Sequence, residues 1–212
     1  MDVRAFTVGP LQENAYLVRA DATAARALLV DPGDEAERLL RAVDALGVTL
    51  EAILLTHTHF DHVGAVAPVA RATGARVWCP ALEAEVLADL NSYLWPGFGP
   101  FESYDADETV GGGETLELAG LALDVVFTPG HSPGHVTYAV RDAEAILSGD
   151  VLFRGSVGRT DLPGGDGPTL LRSLATLTER FAPETTVLCG HGPITTIGAE
   201  QASNPYLTAL AR

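Results

Sequence analysis

The chain has 212 residues, enough for one domain with a sizeable core, and with 47% apolar against 19% charged residues it is neither disordered nor collagen-like. Asp and Glu total 28 against 13 basic residues, a formal charge of -15, so a polyanion meets repulsion over most of the surface and nucleic-acid binding is not expected. Every basic residue is Arg, which removes mechanisms that need a lysine Schiff base or a phosphate-loop lysine.

Alternating apolar residues predict a meander of short strands over 3–8, 15–18 and 27–30. Asp31-Pro32-Gly33-Asp34 follows as a turn whose last residue can cap a helix, and Leu39, Leu40, Val43 and Leu46 continue at helical spacing up to Gly47. Ile53-Leu54-Leu55 is a short buried strand that runs into Thr56-His57-Thr58-His59-Phe60-Asp61-His62, and 63–73 reads as a helix stopped by Gly74. The segment 93–101, rich in aromatic residues, Gly and Pro, reads as an ordered loop that lines a pocket, meets a second copy or folds onto the core. Strands return at 116–118, 121–127, 136–140 and 145–147, followed by a helix over 169–181, a strand over 186–189 and a C-terminal helix near 201–210.

Strand-rich halves that each close with helices imply an α/β fold, a four-layer α/β/β/α sandwich forming a single domain over 1–212. The opening Met1-Asp2-Val3-Arg4-Ala5-Phe6 lacks the charged-then-apolar layout of a signal peptide, and no run approaches the roughly 18 apolar residues of a membrane span. The expected location is the cytoplasm, away from the membrane. Cys79 and Cys189 are too few and too far apart for a zinc ribbon or disulfide framework, fit a reducing compartment, and read as buried small residues.

The chemistry lies in the six histidines, each in a segment predicted to end a strand. Three His and one Asp within 57–62 are costly to place together unless a cation neutralises and orders them. In extended backbone, residues two apart face the same way, so His57 and His59 can grip one ion while Asp61 and His62 turn toward another. Three further segments bring the same ligand types: Gly130-His131-Ser132-Pro133-Gly134-His135, Ser148-Gly149-Asp150 and Cys189-Gly190-His191-Gly192-Pro193. Their Gly and Pro residues let backbone turn sharply beside an ion. A carboxylate such as Asp150 has lone pairs enough to bridge two cations. Spacing alone leaves open whether His131 or His135 is the ligand of its segment.

The order of HTHFDH, GHSPGH, GD and GHG resembles the metallo-β-lactamase superfamily and, within it, the short bacterial forms of the hydroxyacylglutathione hydrolases, or glyoxalase II enzymes. The resemblance spans the chain from Phe6 to about Leu207. It implies one divalent metal held by His57, His59, His131 and Asp150, and a second held by Asp61, His62, Asp150 and His191, with His135 a nearby polar group. The expected ions are zinc, with iron or manganese as alternatives. The implied reaction is hydrolysis of a small-molecule thioester, an S-2-hydroxyacyl-glutathione or the ester of a similar small thiol, by a metal-bridging hydroxide. Asp61 would be the catalytic carboxylate that also orients the nucleophile. The expected assembly is a monomer or homodimer.

The run Gly149 to Asp161 looks like that of the short glyoxalase II-like proteins. Arg159 matches the lysine that holds the glutathione carboxylate in longer forms, or else it pairs with Asp161 or another surface acid. Asp161 and Pro193 stand where those longer forms have glutathione-binding tyrosines. Persulfide dioxygenases are similar in the same motifs and would use one Fe(II) on His57, His131 and Asp150; a lactonase-type hydrolase of the superfamily is a further alternative.

Overall fold

The computed structural model describes residues 1–210, and the last two positions of the expected domain lie outside the described residues. The meander forms as β1 (Asp2–Val8), β2 (Glu13–Arg19) and β3 (Arg26–Val30), paired antiparallel. Three strands then join in parallel: β4 (Thr49–Leu54), β5 (Arg76–Pro80) and β6 (Glu108–Val110), completing a six-stranded sheet in chain order. A second six-stranded sheet contains β7 (Thr115–Leu118), β8 (Leu121–Phe127), β9 (Val136–Val140) and β10 (Ala145–Gly149). A two-stranded ribbon, β11 (Leu152–Phe153) and β12 (Ser156–Val157), precedes β13 (Thr186–Cys189), which pairs parallel with β10, and β14 (Thr195–Thr196) at the sheet edge.

The helices cover the outer faces. On the first sheet lie α1 (Ala36–Leu46), α2 (Phe60–Val63), α3 (Val66–Thr73) and α4 (Ala84–Ala88). On the second lie α5 (Gly167–Arg180), α6 (Ile197–Ser203) and α7 (Pro205–Leu210). Alternation of side chains along each strand divides the core into three slabs. Leu17, Leu29 and Ile53 point outward to Leu39, Val43, Val66 and Val69. Tyr16, Val18, Leu28 and Leu54 point inward to Leu123, Val125, Tyr138 and Leu147 of the other sheet. Ile146 and Val187 meet Leu170, Leu174 and Ile197. Each fully buried Leu or Ile contributes roughly 1.5–3 kcal/mol to this packing. The result is the four-layer α/β/β/α sandwich expected from the sequence.

Local corrections have physical causes. The cap of α1 is Glu35 in left-handed conformation (φ 54°), one residue after the expected Asp34, and it makes no side-chain capping bond. The helix expected over 63–73 is two pieces, α2 and α3, broken where Gly64 packs against the Gly33 carbonyl and Phe101; a Cβ there would stand 2.5 Å from that carbonyl oxygen. The C-terminal helix begins at Ile197 and breaks at Asn204, because Pro205 forces its predecessor into extended backbone (φ -72°, ψ 122°). The sequence pattern does not mark β5, β6, the short strands β11, β12 and β14, or α4.

The topology decides where the chemistry sits. Strands β3, β4, β10 and β13 run in parallel pairs, and β8 lies antiparallel to β9, itself antiparallel to β10. The loops at their C-terminal ends carry Asp31, residues 56–62, Asp150, His191 and residues 128–135, all on one edge of the sandwich. Such edges are where open α/β sheets bind ligands.

Candidate metal centre

The first donor group assembles as β4 ends. His57 Nε2 lies 3.1 Å from His59 Nδ1, which lies 2.8 Å from His131 Nε2, and the three nitrogens converge within 4.8 Å of one another. Their other ring nitrogens are held from behind. The Arg159 carbonyl accepts a hydrogen bond from His131 Nδ1–H at 2.8 Å, which leaves the Nε2 lone pair facing inward. The Thr56 hydroxyl donates to Asp31 Oδ2 at 2.6 Å, so its oxygen is free to accept from His57 Nδ1 at 3.1 Å. Burial holds the His57 pKa well below the usual imidazole value, with the neighbouring imidazoles adding to it; burial and His131 hold His59 at about 4. Both rings are therefore neutral at pH 7, the form that ligates metal.

The second group draws on α2 and the loop after β13. Asp61 Oδ2 and His191 Nε2 are 3.3 Å apart, and His62 completes a set within 4.8 Å. His62 Nδ1 lies 3.1 Å from Asp31 Oδ2, which turns Nε2 toward the centre. Burial would lower the His62 pKa, but the Asp150, Asp31 and Asp61 carboxylates outweigh it and raise it well above the usual value. His191 is raised in the same way, against its own burial, by Asp61 and Asp150. Asp31 also lies near His57 and His62, yet its oxygens are already engaged by the Thr56 amide, the Thr56 hydroxyl and His62, so its part is to orient.

Asp150 stands between the groups. Its Oδ1 is 3.3 Å from His62 Nε2, and its Oδ2 is 3.5 Å from His131 Nε2 and 3.6 Å from His191 Nε2. Although buried, the carboxyl titrates well below the usual range because His62, His131 and His191 favour its charge. Gly190 permits the approach of the last loop, since a Cβ there would fall 2.2 Å from Asp150 Oδ1. His62 Nε2 and Asp150 Oδ1 are buried and have no hydrogen-bond partner among the described residues. Orphaned polar atoms of this kind cost roughly 1–3 kcal/mol each unless something satisfies them. Imidazole nitrogens and carboxylate oxygens facing one another at these distances suit divalent zinc, iron or manganese.

His135 is differently placed from His131. Its Nδ1 is 3.0 Å from the Thr128 hydroxyl and its Nε2 accepts from the Asp150 amide at 3.1 Å, so neither nitrogen is available to a metal. Two residues that contribute here were absent from the sequence reading. In the sequence Asp31 shows only as the first residue of a turn. Glu83, between β5 and α4, is buried and accepts from the Thr58 amide and hydroxyl (3.2 and 2.7 Å) and from the Ser132 hydroxyl and Gly134 amide (2.6 and 2.8 Å). It thereby ties the His57–His59 loop to the His131 loop. Glu13 is also buried beside His62, and burial raises its pKa well above the carboxylate range.

A cleft of about 800 Å³ opens over the donors, with Leu82, Tyr93, Trp95, Phe153 and Leu162 in its wall. Tyr93 ends a short 3-10 turn, and the loop after it serves two ends. Phe98 and Trp95 pack 4.6 and 5.5 Å from the Phe60 ring while Tyr93 and Trp95 face the cleft. Arg159 lines the cleft too, but its guanidinium donates in bidentate fashion to Asp161 at 2.7 and 2.8 Å. Cys189 and Cys79 are buried, and burial pushes the Cys189 thiol up to about 11, which rules it out as a thiolate nucleophile at neutral pH. No helix among the described residues is long and apolar enough to cross a membrane.

An αββα sandwich with histidines and carboxylates converging on one edge is the architecture of a metal-dependent hydrolase. The chain belongs to the metallo-β-lactamase superfamily, whose family model matches residues 8–191. It is 40% identical to the probable metallo-hydrolase YqgX of Bacillus subtilis, covering all of both chains. With the hydroxyacylglutathione hydrolase GloC of Haemophilus influenzae it shares 34% identity over 99% of each chain. Among solved structures, it superposes on the BLEG-1 B3 metallo-beta-lactamase with a TM-score of 0.91 and 38% identity, covering 98% of this chain and 100% of that one. The di-iron-bound form of TTHA1623 gives 0.85 and 45% over 97% and 100%.

Proposed function

We propose that this metallo-hydrolase is a binuclear thioesterase that cleaves an S-2-hydroxyacyl-glutathione or the ester of a similar small thiol. The observation that carries the reading is the position of Asp150, one carboxylate facing both donor groups. His57, His59, His131 and Asp150 would hold one ion; Asp61, His62, Asp150 and His191 would hold the other. Zinc suits these donors, as do iron and manganese. Two bound divalent ions supply a lowered pKa for water and positive charge for a developing oxyanion.

The chain's own residues do the rest. Asp61, held by His191 at 3.3 Å, presents a carboxylate at the cleft floor that accepts a hydrogen bond from the attacking water and fixes its direction. A substrate seated against the apolar cleft wall would displace bulk water from the donors, which strengthens every charge interaction inside. A thiol leaves as thiolate near neutral pH, since its pKa is about 8.5, so no strong general acid is required. The likeness to the Haemophilus hydroxyacylglutathione hydrolase supports the ester class, and the di-iron neighbour supports two ions. A single-iron dioxygenase would give no ion to the converging Asp61, His62 and His191 donors, which weighs against that reading.

The test is elemental mass spectrometry on protein purified without added metal, with the same sample assayed for S-lactoylglutathione cleavage and for oxygen uptake with glutathione persulfide. Near two metals per chain with thioester cleavage is the expected result. One iron with oxygen consumption overturns the proposal.

A further inference from the structure

Two features of the cleft are unused by the metal chemistry. The first is its wall. Leu82 is 68% exposed and Tyr93 51% exposed, and both line the cleft with Trp95, Phe153 and Leu162. A second hollow of about 220 Å³ shares Leu11, Phe60 and Asp61 with the first and is otherwise bounded mainly by apolar residues and glycines such as Phe98, Gly99 and Phe101. Apolar surface thus flanks Asp61 on two sides, and contiguous open apolar surface in a cleft marks what the ligand brings to it.

The second feature is charge. Among the described residues Arg159 is the only Arg lining the cleft, and its Nε and Nη2 already donate to the two carboxylate oxygens of Asp161. Its guanidinium carbon also rests 5.5 Å from the centre of the Trp95 ring. The pair sums to zero charge at the cleft, inside a chain whose formal charge is -15. A carboxylate arriving here finds the guanidinium charge already balanced, and it must share the remaining N–H donors of Arg159 with Asp161, whose negative charge stands beside it.

Resting on the thioester reading above and choosing between its two kinds of thiol, we infer that the cleft prefers the ester of a small neutral thiol to that of glutathione, and that Asp161 sets this preference by cancelling Arg159. A tripeptide thiol with two free carboxylates is disfavoured against a neutral thiol carrying the same acyl arm.

Binding is measured first, because it does not depend on turnover. The zinc-loaded full chain is titrated, by tryptophan fluorescence, with two uncleavable thioethers of equal hexyl arm, one on glutathione and one on neutral N-acetylcysteamine. The neutral compound is expected to bind about tenfold tighter, the effect of leaving one carboxylate without a partner. Equal or tighter binding of the glutathione compound overturns the inference. Asp161→Asn should then strengthen the glutathione compound about two- to fivefold, the size of exposed ion-pair effects, and leave the neutral one unchanged. If both compounds shift together, or neither shifts, Asp161 is not the determinant. Hydrolysis of the S-lactoyl thioesters of the same two thiols is scored separately. No cleavage of either with the binding preference intact would defeat the thioesterase reading and leave the cleft's preference standing.

Discussion

The backbone amide of Asp150 donates to Nε2 of His135 across 3.1 Å. Because Nε2 must accept, the proton of His135 sits on Nδ1, which points at the Thr128 hydroxyl 3.0 Å away. The ring is a fixed brace for the residue that faces both donor groups. Burial, reinforced by His131, keeps the His135 pKa well below the usual imidazole value and so preserves the accepting nitrogen through the neutral range.

Replacing this brace should loosen Asp150 without removing any donor. His135→Ala is expected to lower metal affinity or turnover by about 10–100-fold, as loss of an orienting partner does at metal sites. His135→Gln, which can present an acceptor oxygen near the same place, should recover most of that loss. Chelator competition and kcat on both variants check it; an Ala variant with native affinity would return His135 to a packing role.

Asp150→Ala and His191→Ala separate the two donor groups. The first removes the carboxylate that faces both, so metal content should fall toward zero. The second touches only the Asp61 and His62 group and should leave about one ion per chain. Two metals retained in Asp150→Ala, counted by elemental mass spectrometry, would sink the shared-ligand assignment.

Glu83 is expected to matter as a tie between loops. Glu83→Ala leaves two amides and two hydroxyls without their acceptor in a buried place, a loss of about 3 kcal/mol, or roughly 6–12 °C in Tm for a chain of this size. Glu83→Gln should be nearly as damaging, because each carboxylate oxygen faces an amide donor and one of them becomes an NH2 group. Calorimetry on the pair distinguishes this from simple loss of side-chain volume, which the Gln variant would not suffer.

Why Glu83 escaped the sequence reading while the histidines did not is a matter of distance along the chain. His57, His59, Asp61 and His62 advertise themselves within six residues, and Gly or Pro marks each later ligand loop. Glu83 meets partners 25 and 49 residues away, and nothing in Leu82-Glu83-Ala84 distinguishes it from a solvated acid. The five-residue strand β5 was missed for a similar reason, since Arg76-Val77-Trp78-Cys79-Pro80 has no clear alternation and ends in Pro. Asn204 is a different case: the Pro that follows it was visible and predicts the helix break that occurs. The Arg159–Asp161 pair was one of two readings left open, because charge spacing does not reveal which partner a surface Arg takes.

The two donor groups should also part on acidification. In the metal-free chain the His57 and His59 pKa values are lowered, so those two nitrogens stay unprotonated well below neutral pH and remain open to an ion. His62 and His191 are raised, so protons hold those nitrogens more tightly and must be expelled by the second ion. Lowering the pH through the neutral range therefore protonates His62 and His191 first, and the group they form with Asp61 should release its ion while the other keeps one. Zinc retained after dialysis at a series of pH values from about 8 to 5 should fall in two steps, and uptake of the second ion at pH 7 should release protons into a lightly buffered indicator solution. His191→Ala should abolish the step nearer neutrality and leave the acid one. A single step in the wild-type chain, with both ions leaving together, would mean that Asp150 couples the groups too tightly for their histidines to titrate separately.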